Sequence, residues 1–258
     1  MPEVQKRAGM FTWTDLNTPD TAAAKEFYGG LFGWEAVDVA AGGQNVYTMF
    51  RQNGKEVAGM GQQPESMKGM PALWTSYITV DDVDAVAARA QELGGTLTMA
   101  PMDVMDAGRM ALIQDPTGAV VAVWQPGSHA GAELFNEPGA MSWNELATRD
   151  PAAAKTFYEQ LFGWTIKAGD VGGGASYTGI FLGGDHPNGG IIEMTEQWPP
   201  EVPPHWMTYF SVADVAAAAA KAEELGGSVR VAPQDIPVGC FSVISDPHGA
   251  TFTVFAAK

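Results

Sequence analysis

Two phrases of the sequence set an aromatic ring and a carboxylate two residues apart: Trp13 and Asp15 in WTDLN, and Trp143 and Glu145 in WNELA. Positions i and i+2 of a strand project from the same face. Each phrase therefore offers an indole and a carboxylate side by side. Such a carboxylate can orient a ligand amine or act as a general base. It can equally be held by a tyrosine hydroxyl, because a carboxylate among apolar neighbours is costly without a partner.

Other reactive residue types are sparse. Cys240 is the single cysteine, which excludes an intrachain disulfide and cysteine-rich metal sites. With no companion motif it reads as a small hydrophobe. The four histidines are scattered. His129 lies in a stretch rich in Pro and Gly, His186 in the run GGDHPNGG, and His248 in a turn. His205 precedes Trp206 at a strand entry.

The elements that must position these residues are written twice. WTDLNTPDTAAAKEFYGGLFGW (13–34) and WNELATRDPAAAKTFYEQLFGW (143–164) are identical at 14 of 22 positions. WTSYITVDDVDAVAARAQELGG (74–95) returns as WMTYFSVADVAAAAAKAEELGG (206–227), and DPTGAVVAVW (115–124) as DPHGATFTVF (246–255). The spacing drifts only from 130 to 132 residues, so insertions are small and fall in loops. A repeat of this length is a duplicated domain. The boundaries read as a first domain over 1–126, a linker over 127–138 and a second domain over 139–258. Pro126, Gly127, Pro138 and Gly139 mark the join.

FTWTDLN alternates as a strand, and Asp20 or Asp150 can cap the helix that follows. Ala24, Phe27 and Leu31, like Ala154, Phe157 and Leu161, form the buried stripe of that helix. Gly33 and Gly163 end it. Three strand-like runs follow, and the pattern restarts at WTSYITV. Each half thus reads βαβββ–βαβββ. The chain is an α+β protein of four such units.

The phrases A-x-x-FY-x-x-LFGW, V-x-D-V, ELGG and DP-x-G-A carry a resemblance to the vicinal oxygen chelate superfamily, which holds glyoxalases, extradiol dioxygenases and bleomycin-resistance proteins. The resemblance covers almost the whole chain and is strongest to tandem-domain glyoxalase-like proteins. It implies two tandem domains whose curved mixed sheets surround concave troughs.

The resemblance also implies where a divalent metal would be held. The first-strand His falls on Trp13 and Trp143, the fifth-strand His on Thr75 and Met207, and the last-strand Glu on Ala122 and Thr253. None is a competent ligand. Glu193 in IIEMT and His205 are the leftover metal candidates, and they do not complete a set. No metal or other cofactor is expected.

Positions in phase with those lost ligands face the troughs. They are Trp13, Asp15, Tyr47, Thr75, Tyr77 and Trp124 in the first half. In the second they are Trp143, Glu145, Tyr177, Met207, Tyr209 and Phe255. Aromatic walls with one carboxylate suit a flat hydrophobic small molecule. Trp34 and Trp164 read as core.

The formal charge of −16 argues against nucleic acid and anionic membrane surfaces. The N-terminus shows no secretory signal, so a cytoplasmic monomer or homodimer is expected. The leading functional expectation is a metal-free protein that binds or sequesters a hydrophobic compound, cationic ones included, in the manner of bleomycin-resistance proteins. The alternative is an enzyme, a glyoxalase-like lyase, an isomerase or a hydroxylase, with Asp15 or Glu145 as its catalytic base. The third reading is a structural protein whose troughs are filled.

Overall fold

A computed structural model describes residues 6–42, 46–170, 176–183 and 187–258. The order of elements repeats four times. The first quarter runs β1 (Phe11–Thr18), α1 (Thr21–Phe32), β2 (Glu35–Ala40), β3 (Val46–Gln52) and β4 (Lys55–Gln62). The second runs β5 (Leu73–Thr79), α2 (Val83–Glu92), β6 (Thr96–Val104), β7 (Gly108–Gln114) and β8 (Val120–Pro126). The third runs β9 (Met141–Thr148), α3 (Pro151–Phe162), β10 (Thr165–Asp170), β11 (Ser176–Phe181) and β12 (Pro187–Glu193). The fourth runs β13 (His205–Ser211), α4 (Val215–Glu224), β14 (Ser228–Ile236), β15 (Gly239–Ser245) and β16 (Thr251–Ala257).

Two eight-stranded mixed sheets result, in the orders β2-β3-β4-β1-β5-β8-β7-β6 and β10-β11-β12-β9-β13-β16-β15-β14. Each sheet belongs to one half of the sequence. Packing divides the chain differently. One compact unit holds residues 1–12, 76–130 and 143–207, and the other holds 13–75, 131–142 and 208–258. The second and third quarters thus share one core, and the first and fourth share the other.

The helix ends follow from local chemistry. Asp20 and Asp150 accept hydrogen bonds from the N–H groups of Ala23 and Ala153, and Pro151 opens α3. Gly33 (φ 73°) and Gly163 (φ 66°) close the helices in the left-handed conformation. The helix stripe differs from the expected one. Ala24, Phe27 and Tyr28 are buried, as are Ala154, Phe157 and Tyr158, whereas Leu31 and Leu161 are only half-buried.

The tyrosines take the core positions because a hydroxyl there finds partners. Tyr28 Oη donates to Asp246 Oδ2 at 3.0 Å and accepts from Trp74 Nε1 at 2.9 Å. Tyr158 Oη donates to Asp115 Oδ2 at 2.8 Å and accepts from Trp206 Nε1 at 2.9 Å. Each bond ties a helix of one half to the Asp-Pro turn of the other half within one unit. Those turns therefore do more than reverse the chain. Asp115 and Asp246 also accept from their own turn N–H groups, through Oδ1.

Trp34 and Trp164 lie in the cores, as expected, at 5% and 3% exposure. Their indoles donate to the carbonyls of Gly139 and Gly9. Smaller bonds repeat the pairing of quarters: Ser76 Oγ to Asn144 Oδ1 at 2.6 Å in one unit, and Thr14 with Thr208 at 3.1 Å in the other. The stretch joining the halves is held too. Glu133 N donates to the Glu56 carbonyl, and Gln52 to that of Pro138.

Candidate functional site

The two Trp-x-carboxylate phrases each build the same cluster. In the first copy, Trp13 Nε1 donates to Tyr47 Oη at 3.2 Å, and Tyr47 Oη donates to Asp15 Oδ2 at 3.3 Å. Asn17 Nδ2 reaches Asp15 Oδ1 at 3.5 Å. In the second copy, Trp143 Nε1 donates to Tyr177 Oη at 2.8 Å, and Tyr177 hydrogen-bonds Glu145. Sequence reasoning placed Trp, Tyr and carboxylate on one face. The structure links them into an ordered relay of indole N–H, phenol O–H and carboxylate.

Sheet topology explains why each relay needs one further residue. Tyr47 stands on β3 and Asp15 on β1, with β4 between them. The β4 residue paired with Asp15 is Gly59. A Cβ at 59 would overlap the Tyr47 hydroxyl, so only glycine lets the ring lie across the strand. Gly190 on β12 pairs with Glu145 and gives Tyr177 the same passage. The signal for both was present as glycines inside strand patterns, GMG and NGGII, which mark close approach of another group.

The relay fixes protonation. Burial and then the adjacent carboxylate charge push the Tyr47 and Tyr177 phenols well above their ordinary values, outweighing the bonds from Trp13 and Trp143. Both tyrosines stay neutral donors. A proton-accepting role in either cluster therefore falls to the carboxylate.

Tyr77 and Trp124 meet edge to face at 6.4 Å, and Trp124 Nε1 donates to the His129 carbonyl. Thr75 is buried, and its carbonyl accepts from Thr14. Tyr209 pairs in register with Thr253, and Phe255 with Ser211. Met207 lies half-buried on β13. The Thr253 hydroxyl is fully buried and has no hydrogen-bond partner among the described residues.

The two copies differ in exposure. Trp13 (4%), Asp15 (7%), Thr75 (9%), Tyr77 (6%) and Trp124 (6%) are buried, while Tyr47 is half-buried. Trp143, Glu145, Tyr177, Met207, Tyr209 and Phe255 are all half-buried.

The metal-ligand positions do not fit a metal. Trp13, Thr75 and Ala122, or Trp143, Met207 and Thr253, offer no imidazole or carboxylate donor set. Among the described residues, no three His, Cys, Asp or Glu side chains gather as a metal-holding group. His205 Nδ1 is engaged by the Pro203 carbonyl at 2.8 Å, and burial lowers its pKa. Glu193 ends β12 opposite Thr148. His186 lies outside the described residues.

A shallow surface groove of about 470 Å³ runs beside α3, lined by Leu93, Pro116, Asp150, Ala153, Phe157 and Gln160 among others. Its one carboxylate, Asp150, is spent on the helix cap. It carries none of the clustered aromatics and is not the site.

The comparisons agree with this architecture. The sequence profile of the Glyoxalase/Bleomycin resistance protein/Dioxygenase superfamily matches residues 10–123 and again 140–254. "Putative glyoxylase CFP32" of Mycobacterium bovis is 46% identical over 251 residues, covering 96% of this chain and 95% of that protein. "Anthracycline biosynthesis protein DnrV" of Streptomyces peucetius is 40% identical over 258 residues, covering 95% and 92%. Among solved structures, the Mn(II)-bound glyoxalase of Novosphingobium aromaticivorans superposes with a TM-score of 0.66 at 17% identity, covering 98% of this chain and 83% of that one. The 2,3-dioxygenase LapB of Pseudomonas sp. KL28 gives 0.65 at 14%, covering 97% and 93%. These two share the fold. The chain belongs to the Glyoxalase/Bleomycin resistance protein/Dioxygenase superfamily.

Proposed function

We propose that this protein binds a hydrophobic, planar small molecule without a metal ion. The observation that carries the reading is the relay of Trp143, Tyr177 and Glu145, in which Trp143 stands where the family resemblance puts a metal-binding His. An indole and a phenol fixed by a hydrogen bond are rigid apolar walls, and they lose little freedom when a flat ring stacks on them. The carboxylate at their edge supplies a single polar contact, as small-molecule sites do. A relative named for anthracycline biosynthesis, a chemistry of polycyclic aromatic compounds, supports this class of ligand.

An enzymatic reading rests on the relative named a putative glyoxylase and on the half-buried Glu145 as a proton acceptor. A titration of the full chain against planar aromatic compounds, followed by tryptophan fluorescence, tests the binding reading. Saturable quenching by metal-free protein supports it. Stoichiometric Mn, Ni, Zn or Fe in the purified protein, lost together with an activity, would refute it.

A further inference from the structure

We infer that the two copies have divided their roles: the second copy is the binding site, its Glu145 selects a cationic aromatic ligand, and the buried Trp13 and Asp15 of the first copy are structural. The inference rests on the proposed binding function and narrows it. Trp13 and Asp15 are only 4% and 7% exposed, whereas Trp143 and Glu145 are half-buried; Tyr47 and Tyr177 are half-buried in both copies. A ligand can reach the second set without unpacking a core.

One side-chain donor differs between the copies. Asp15 accepts a hydrogen bond from the Asn17 side-chain amide at 3.5 Å. The matching residue in the second copy is Ala147, which offers no donor. Glu145 is also one methylene longer than Asp15, which carries its carboxylate further from the strand. A half-exposed carboxylate bordered by an indole and a phenol is the arrangement that holds an organic cation. The anion supplies a charge-assisted hydrogen bond, and the ring faces attract the spread positive charge. The overall charge of −16 draws such a ligand toward the protein.

The test uses the full chain with nitrogen-15-labelled tryptophan, titrated with protonated aminoacridine and with acridine, its uncharged counterpart at mildly alkaline pH. The Trp143 and Trp13 indole resonances are identified by Trp143→Phe and Trp13→Phe. The expected result is one equivalent of aminoacridine bound, with movement of the Trp143 indole resonance and not that of Trp13. Glu145→Gln should weaken aminoacridine by about tenfold or more while changing acridine less than about twofold. Two equal equivalents, movement of the Trp13 resonance, or equal effects of Glu145→Gln on both probes would overturn the division of roles and leave the binding function standing. Failure of both probes to bind would overturn both.

Discussion

Tyr177 lies across β12 at Gly190, with its hydroxyl in the volume a side chain at that position would fill. The ring thereby reaches from β11 to Glu145 on β9 and meets the Trp143 indole on the way. The site is made as much by an omitted side chain as by those present.

Gly190→Ala should therefore dislodge Tyr177 and break its bond to Trp143. The added methyl has to be accommodated by moving the ring, at a cost of about 1–3 kcal/mol. A shifted Trp143 indole resonance and loss of aromatic-ligand quenching would report it. An unchanged Trp143 environment would show that the strand can absorb the methyl.

Tyr28→Phe and Tyr158→Phe should each destabilise the protein without touching the clusters. Each removes a buried hydroxyl that joins a Trp donor to an Asp acceptor, worth about 1–3 kcal/mol. Urea unfolding should show a lower midpoint at unchanged slope. No loss for either variant would mean that the buried Asp and Trp find other partners.

The Asp246 carboxylate gives stability a pH dependence of known sign. Burial raises its pKa despite the bonds from Tyr28 and from the backbone N–H groups of Ala250 and His248. The folded protein thus holds this proton more tightly than the unfolded chain does. Its contribution is fully present below the ordinary carboxylate range and is lost as pH rises through the raised folded value. Asp246→Asn cannot titrate. Thermal unfolding should show the variant gaining on the parent from acid toward neutral pH, on top of a constant offset from the disturbed Tyr28 bond. A pH-independent difference would contradict the raised pKa.

Much of this was legible in the sequence. The helix caps Asp20 and Asp150, the closing Gly33 and Gly163, and the duplicated βαβββ units follow from local signals of spacing and residue type. So did the shared strand face of Trp13 with Asp15 and of Trp143 with Glu145. The hidden part is the part that depends on contacts far apart in the chain. Helical periodicity gave Leu31 the core, but Asp246, 218 residues from Tyr28, makes a buried tyrosine affordable there. The passage of Tyr177 over Gly190 needs the strand order β11-β12-β9, which no local pattern encodes. Exposure is likewise a property of the packed chain, so the near-identical phrases around Trp13 and Trp143 gave no sign that Trp13 and Asp15 are buried while Trp143 and Glu145 are half-buried.

Whether aromatic ligands are held without a metal is decided by binding to chelated protein. Protein treated with EDTA, and shown by elemental analysis to be free of transition metals, is titrated with aminoacridine by tryptophan fluorescence. The same affinity is expected before and after chelation and after adding back Mn, Ni or Zn, with loss of binding in Trp143→Ala. Binding that vanishes with the metal and returns with it would show that a metal ion holds the ligand.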